Sequence, residues 1–192
     1  MNWQDVISNV NIYGLETASE GESYPMSVEV NRAEGSDSVL NGVIVQFDLT
    51  FTNKAWVEAE RYHFLDFVST QSTIHRITNV DLDEVYIEYV DSRIIAIMKE
   101  KAKEYNELQE DIRALRKEGK DTTTLDDLAG QKYLEVLYSN PAGFKLTARM
   151  TTNYRDLRTI YFSRRTNRLP EWRAFCDWIE TLPNAEFITH ER

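Results

Sequence analysis

Two segments alternate apolar and polar residues with the period of a β-strand. In residues 43–51 the odd positions from Val43 to Phe51 are apolar, and in residues 144–151 the even positions from Phe144 to Met150 are apolar. A shorter alternation occupies residues 26–30, between two loop-like segments at residues 14–25 and 32–42. Each pattern predicts a strand that buries one face against a core and leaves the other face polar.

Helical spacing of apolar residues dominates the rest of the chain. Aromatic residues favour a helix over residues 54–77, and apolar residues spaced by three, four or seven predict a long helix between Ile87 and Leu115, ending at Gly119. Further helices are predicted from Thr124 to a stop at residues 139–143, from a cap at Thr152-Asn153 through Arg164, and from Pro170 onward.

Length and composition predict a folded, soluble protein. The chain has 192 residues, of which 42% are hydrophobic, so a single domain over residues 1–192 can bury a core and a disordered tail is excluded. Cys176 is the lone cysteine, which excludes an intramolecular disulfide and a cysteine-cluster metal site. Without a signal peptide or an apolar run of about 18 residues, no membrane association is expected and the predicted location is cytoplasmic.

The charge is unevenly distributed. The net charge is −10, yet residues 145–173 contain eight basic and two acidic residues, so this segment carries +6 and the remainder −16. Seven of the eight cations are arginines, whose planar guanidinium suits phosphate and carboxylate groups. Two interpretations stay open: a basic face paired with acidic helices, or an anion-binding site. The acidic total argues against DNA binding.

Arg164 is the sharpest candidate in this segment. It shares a helical stripe with Leu157, Ile160 and Tyr161, where an unpaired guanidinium would be costly, so it needs a buried carboxylate or an anionic ligand. The helix that Asn153 caps follows a strand displaying Lys145 and Arg149. Helix amides and cations that converge in this way form an anion site, beside which an aromatic side chain could stack on a flat heterocycle.

The segment from Pro141 to Arg164 resembles the flavin-dependent thymidylate synthases, the ThyX family. The family pattern of Thr-x-Asn-x-Arg-x-Leu opening a helix matches Thr151, Asn153, Arg155 and Leu157, and the helix then carries a further arginine, Arg164. The resemblance implies that Asn153 and Arg155 contact FAD and that Arg164 holds the phosphate of dUMP. Lys145 and Arg149 are additional substrate-binding candidates.

Other segments extend the resemblance and also depart from it. Residues 35–40 are similar to a family loop in which Ser38 would contact the flavin phosphate, although Ser36 replaces a histidine, and Arg76 matches an arginine that closes the family signature. The Arg-His-Arg part of that signature is replaced by Leu65, Asp66 and Phe67. This replacement removes cations and adds an anion.

The resemblance implies an α+β fold with a mixed or antiparallel sheet flanked by long helices, assembled as a homotetramer. One function that follows is methylation of dUMP with FAD, NADPH and methylenetetrahydrofolate. The alternative is a catalytically altered homologue that binds a nucleotide or another phosphate ligand in a binding or regulatory role. A third reading is an interaction protein whose arginines only form ion pairs. No metal site is expected, since His63 and His75 lack a third ligand at suitable spacing.

Overall fold

Two compact units make up the chain in the computed structural model. One unit contains Met1–Thr70 and Thr147–Arg192, and the other contains Gln71–Leu146. The structure describes residues 1–16, 38–72 and 76–190, with the side chain of Ser38 left out. The strand predicted at residues 26–30 lies outside the described residues. The single domain over residues 1–192 stays a prediction.

The first unit is built on a four-stranded sheet. Its strands are β1 (Ile7–Tyr13), β2 (Ile44–Thr52), β3 (Asp66–Thr70) and β4 (Lys145–Asn153), in the order β1-β2-β4-β3. β1 runs antiparallel to β2, and β3 antiparallel to β4. β2 and β4 are also antiparallel, because the start of β2 (Val43 C=O) bonds to the residue after β4 (Tyr154 N–H), while Thr50 near its end bonds to Thr147 near the start of β4.

Six helices accompany the sheet in the described residues: α1 (Asn53–Ala59), α2 (Ser92–Lys117), α3 (Thr123–Ser139), α4 (Tyr154–Arg164), α5 (Pro170–Ile179) and α6 (Glu186–Thr189). The α+β class and the antiparallel sheet are therefore confirmed. Within the described residues, none of these helices has the length and apolar character needed to span a membrane.

The core of the first unit lies between β2 and α5. The odd-numbered residues of β2 are fully buried, as the alternation predicts. Phe47 lies 4.7 Å from Trp178 and Phe51 lies 4.8 Å from Trp172, measured between ring centroids. Pro170 supplies the first residue of α5, and its apolar stripe packs these aromatic rings against the sheet.

The second unit is a pair of helices, α2 and α3, connected at Gly119. Gly119 adopts φ +73°, and the Lys120 amide bonds to the Leu115 carbonyl, so the predicted glycine stop is confirmed. Ion pairs join the exposed faces, with Lys132 lying 2.7 Å from Glu104. Buried residues from both helices and from the segments before and after them form one core: Ile77, Leu82, Tyr86, Met98, Ala102, Val136 and Phe144.

Two helix predictions are wrong in extent. Residues 54–77 do not form one helix, because α1 ends at Ala59 and residues 66–70 become the edge strand β3, where pairing with β4 overrides a helical spacing of aromatic residues. The long helix begins at Ser92 rather than near Ile87, since the Asp91 side chain caps it by accepting from the Arg93 amide. Ile87 instead donates its amide to the Gly143 carbonyl.

Candidate functional site

Arg164 lies in a cluster of polar and aromatic groups at the end of α4. We call Glu58, Tyr62, Arg164, Asn167 and Trp172 the Arg164 cluster. Arg164 Nη1 donates to the Glu58 carboxylate, and its Nε donates to the Tyr62 hydroxyl at 2.7 Å. The side chains of Arg164 and Glu58 retain 17% and 22% of their exposure, so solvent still reaches the pair.

Two aromatic rings fix the plane of the guanidinium. The Arg164 Cζ lies 4.9 Å from the ring centroid of Trp172 and 5.4 Å from that of Tyr62. The two rings also meet edge to face, with their centroids 5.8 Å apart. A guanidinium held over aromatic faces keeps its fork of N–H donors pointed in one direction.

The cluster supplies a carboxylate partner of the kind that the sequence requires for Arg164. An unpaired guanidinium beside Ile160 and Tyr161, which are buried, would be costly, and Glu58 of α1 neutralises it. Asn167 reinforces the arrangement, because its Nδ2 lies 3.4 Å from the same Glu58 oxygen. Arg164 therefore forms an ion pair with Glu58 in this structure, whatever else it binds.

Asn153 and Arg155 lie at the opposite end of α4. The Asn153 side chain caps the helix by accepting from the Asp156 amide at 2.9 Å, so the predicted cap is confirmed. Arg155 is exposed on the first turn. The eleven residues of α4 span roughly 15 Å at 1.5 Å per residue, so these two residues and Arg164 occupy separate regions of this chain.

Arg149 is engaged on the polar face of the sheet. Its Nη1 donates to the Asn9 carbonyl at 2.6 Å and lies 3.2 Å from an Asp48 carboxylate oxygen. The four residues from Arg149 to Asn153 extend about 13 Å along a strand. The described chain thus does not bring Arg149 to the start of α4, where the sequence places an anion site.

The remaining predicted residues lie elsewhere. Lys145 and Arg76 belong to the second unit, where Lys145 donates its amide to the Val85 carbonyl and the Arg76 guanidinium bonds to the Gln71 side chain. Ser38 begins a 3-10 turn, Ser38–Gly42, and its side chain lies outside the described residues. Within the first unit, Arg149, Asn153 and Arg164 therefore occupy separate positions.

Other arginines of the basic segment also bind protein groups. Arg158 donates to the carbonyls of Phe187 and His190, at 3.1 Å in both cases, and Arg173 donates to the carbonyls of Asn167 and Arg168. Four of the eight cations in residues 145–173, namely Arg149, Arg158, Arg164 and Arg173, therefore bond to carbonyls or carboxylates of the protein itself.

Sequence reasoning named only Arg164 as a site residue and missed the other four members of the cluster: Glu58, Tyr62, Asn167 and Trp172, the last of which it placed only in the core. The demand of Arg164 for a carboxylate is visible in the sequence, but nothing distinguishes Glu58 among 32 acidic residues. The pairing joins residues 106 positions apart. α1 follows β2 and α4 follows β4 in the chain. The antiparallel placement of these two strands therefore brings Glu58 and Arg164 together.

A second polar group, the carboxylate of Glu171, is buried beside the Arg164 cluster, in the residue before Trp172. Glu171 is 2% exposed, and the Thr52 hydroxyl donates to its Oε1 while accepting from the Ala55 amide. The second carboxylate oxygen, Oε2, and the indole nitrogen of Trp172 are buried without a hydrogen-bond partner among the described residues. Thr52 thus caps α1 and tethers it to the first turn of α5.

The residues replacing Arg-His-Arg lie at the start of β3. Leu65 is buried, whereas Asp66 and Phe67 are exposed, and Asp66 pairs with Thr151, two residues before Asn153. A flavin cofactor carries a diphosphate, so donors such as the Asn153 amide and the Arg155 guanidinium fit it. Asp66 does not, since it adds a negative charge about 7 Å along the sheet from Asn153.

No grouping of three or more His, Cys, Asp or Glu side chains among the described residues is suited to hold a metal ion. The lone thiol, Cys176, is buried in α5 as predicted, and burial raises its pKa to about 12. In the part of the chain that the structure describes, neither a metal-binding cluster nor a reactive thiol provides a catalytic centre.

Sequence comparison finds no match, whereas comparison of folds finds solved structures with a similar fold. No protein-family model matches the chain, and neither does any curated protein sequence. The fold is similar to a flavin-dependent thymidylate synthase ThyX from Helicobacter pylori complexed with FAD and dUMP, with a TM-score of 0.56 and 16% identity over 94% of this chain and 96% of that chain.

A second solved structure gives the same result. Thymidylate synthase X (ThyX) from Helicobacter pylori with FAD and dUMP matches with a TM-score of 0.57 and 16% identity, covering 95% of this chain and 100% of that chain. At this identity the likeness concerns the fold. The chain has a ThyX-like α+β fold.

Proposed function

We propose that this ThyX-like chain binds a nucleotide of the dUMP type, with Arg164 holding its phosphate. One observation carries the proposal. The segment with the pattern Thr-x-Asn-x-Arg-x-Leu forms the β4–α4 strand and helix of a ThyX-like fold, with Asn153 at its cap and Arg164 at its end. Arg76, Lys145 and Arg149 are the further substrate-side candidates of this proposal.

The first version of this function is a flavin-dependent thymidylate synthase. The solved neighbours hold FAD and dUMP, which supports the same pair of ligands here. Ser38, Asn153 and Arg155 would hold FAD, whose isoalloxazine supplies the redox chemistry that uses NADPH and methylenetetrahydrofolate. The Arg155 guanidinium would neutralise the cofactor diphosphate, and Asn153 would offer its amide Nδ2 as a donor.

The second version is a catalytically altered homologue in a binding or regulatory role. Asp66 and Phe67 favour it, because an anion and an apolar ring stand where the family carries cations that stabilise bound phosphates. In this version the nucleotide binds without FAD. A homotetramer and a cytoplasmic location belong to either version.

Cofactor binding separates the two versions. Purified protein is titrated with FAD while its visible absorbance and its tryptophan emission are recorded. Stoichiometric uptake by the parent supports the synthase. A colourless parent that leaves FAD free in solution, together with uptake by an Asp66→Arg variant, would support the altered homologue and identify Asp66 as the cause.

Nucleotide binding is tested by thermal stabilisation. A ligand that binds the folded state raises the melting temperature by mass action, so dUMP should stabilise the parent and deoxyuridine, which lacks the phosphate, should not. Arg164→Lys should weaken dUMP binding about tenfold or more, since lysine cannot replace a fork of donors. Arg168→Lys, an exposed neighbour in the same segment, is the matched control. Equal stabilisation of both variants would count against Arg164.

A further inference from the structure

We propose that Glu58 is an internal competitor, whose carboxylate occupies the anion position of Arg164 and must be displaced before a phosphate binds there. The inference rests on the proposed function of Arg164 as a phosphate-binding residue. In the structure that position is filled by a carboxylate from the chain itself. A ligand therefore competes with Glu58 rather than entering a vacant site.

Two donors converge on one Glu58 oxygen. Arg164 Nη1 donates to Oε2, and the Asn167 Nδ2 lies 3.4 Å from the same atom. The orientation of the Asn167 amide is fixed, because its Oδ1 accepts from the Leu169 amide at 2.9 Å and its Nδ2 must then face Glu58. Donors arranged around one oxygen in this way suit any oxyanion, including a phosphate oxygen.

The guanidinium is held independently of Glu58. Its Nε bonds to the Tyr62 hydroxyl, and its face rests on Trp172, which is fully buried. Removal of the carboxylate therefore leaves Arg164 in place with its donors oriented. Such a site is ordered before a ligand arrives, which favours binding.

Glu58 is poorly supported by its own helix. It belongs to the last turn of α1, which ends at Ala59. The carbonyl groups at a helix C-terminus disfavour a negative side chain, so Glu58 stays there chiefly through Arg164 and Asn167. With 22% of its side chain exposed, the carboxylate also has a route into solvent when it is displaced.

Charge then selects the ligand. A phosphate monoester carries about −1.5 to −2 at pH 7 and three acceptor oxygens. It gains more from Arg164 than a carboxylate does, whereas acetate or a phosphodiester, with a single charge, only equals Glu58. The expected specificity is for terminal phosphates, as in a nucleoside monophosphate, over carboxylates and diesters.

The expected loss of ligand affinity depends on the fraction of molecules in which Glu58 is paired with Arg164. If the pair is formed about nine-tenths of the time, apparent affinity is reduced about tenfold. Glu58→Gln keeps the shape of the side chain but removes its charge. This variant should bind inorganic phosphate about tenfold more tightly than the parent, and acetate by a similar factor, because the competitor lowers the apparent affinity of every anion alike.

The experiment measures binding of inorganic phosphate, acetate and dUMP to the parent, Glu58→Gln and Glu58→Ala by calorimetry. Glu60→Gln makes the same charge change at an exposed position two residues away and is the matched control. Tighter binding of both phosphate and acetate in the two Glu58 variants, with no change in Glu60→Gln, supports the proposal. Unchanged or weaker phosphate binding in Glu58→Gln, in folded protein, overturns it.

The two proposals fail in different ways. If Glu58→Gln binds inorganic phosphate more tightly through Arg164 but no variant binds dUMP better than phosphate, Glu58 is confirmed as a competitor and the nucleotide function is wrong. If the parent binds dUMP tightly and Glu58→Gln does not change it, the nucleotide function stands and the competitor is wrong. Tighter anion binding in a folded Glu58→Gln variant is a readout that a purely structural Glu58 would not produce.

Discussion

Arg164 is compatible with two interpretations of the sequence, a structural ion pair and a phosphate-binding site. Its position on an apolar stripe demands an anion, and the structure provides Glu58. The same stacked, oriented guanidinium is also what a phosphate site needs. A structural pair and a ligand site are therefore not exclusive here, because one replaces the other at the same donors.

Cys176 should be chemically silent in the folded protein. It is 2% exposed, and burial, with Asp177 and Glu180 nearby, raises its pKa to about 12, so little thiolate forms at neutral pH. We expect no measurable reaction with a thiol-specific disulfide reagent at pH 8 in native protein and one equivalent in denaturant. Rapid labelling of native protein would show that α5 opens locally.

At the scale of elements, the strongly patterned segments were predictable from sequence. The alternation in β2 and β4 and the apolar stripes of α2, α4 and α5 each encode their own burial. The segment after α1 was not predictable, because β3 owes its form to pairing with β4, a partner some eighty residues away. Its exposed residues provide no apolar alternation, so the helical spacing of nearby aromatic residues misleads.

Asn153 has a structural role that must be separated from a cofactor role. Asn153→Ala removes the cap of α4 and should cost about 1 kcal/mol of unfolding free energy, whereas Asn153→Asp keeps an accepting oxygen and should cost little. If Asn153 also contacts FAD, the Asp variant should lose flavin affinity while keeping its stability. Urea denaturation and FAD titration together measure this. Equal flavin affinity in the parent and the Asp variant would remove Asn153 from the cofactor site.

Gly14 is the position where the backbone tolerates no side chain. Its φ is +76°, and an added Cβ would lie 2.4 Å from the Gly42 carbonyl oxygen. Gly14→Ala should therefore destabilise the protein by about 2 kcal/mol or more, through strain and overpacking. Gly42→Ala, whose Cβ would meet nothing within 4 Å, is the control and should have little effect. Melting temperatures compare the two, and equal values would contradict the clash.

At the scale of the whole molecule, the chain is acidic although one segment of it, residues 145–173, is basic. Arg149, Arg158 and Arg164 bond to carbonyls or carboxylates of the protein, whereas Arg155, Arg165 and Arg168 are exposed, so the basic run divides between internal pairs and the protein surface. Of the Arg164 cluster, only Arg164 could be named as a site residue from sequence, and the separation of Arg149, Asn153 and Arg164 could not be foreseen. Distances between Asn153, Arg149 and Arg164 depend on strand and helix lengths and on partners such as Asp48 and Glu58.

The protein should lose stability in alkali. Burial raises the pKa of Tyr86 and of Tyr154 from 10.0 to about 12, and that of Cys176 from 9.0 to about 12. Above pH 9 these groups release protons in the unfolded chain but keep them in the folded chain. Because the unfolded chain then binds fewer protons than the folded chain, the free energy of unfolding falls as the pH rises. We expect full stability below pH 9 and a progressive decline towards pH 12.

Two tyrosine variants test the cause of this decline. Tyr154→Phe should flatten the alkaline slope, at a cost near neutral pH of about 1 kcal/mol for the lost bond to the Pro183 carbonyl. Tyr138→Phe, at a side chain that is 84% exposed, should leave the slope as in the parent. Melting curves between pH 7 and 11 supply the comparison. A parent whose stability is flat over this range would refute the assignment.

Both outer strands of the sheet are interrupted. The pairing of β1 shifts between Ser8 and Asn11, where Asn9 has φ 52°, and the pairing of β3 shifts between Phe67 and Ser69. A strand with such an irregularity is twisted and bent, so it is a poor template for another strand. The consequence concerns many molecules rather than one. Because both edge strands among the described residues are irregular, we expect the sheet not to extend from copy to copy, even in a concentrated solution.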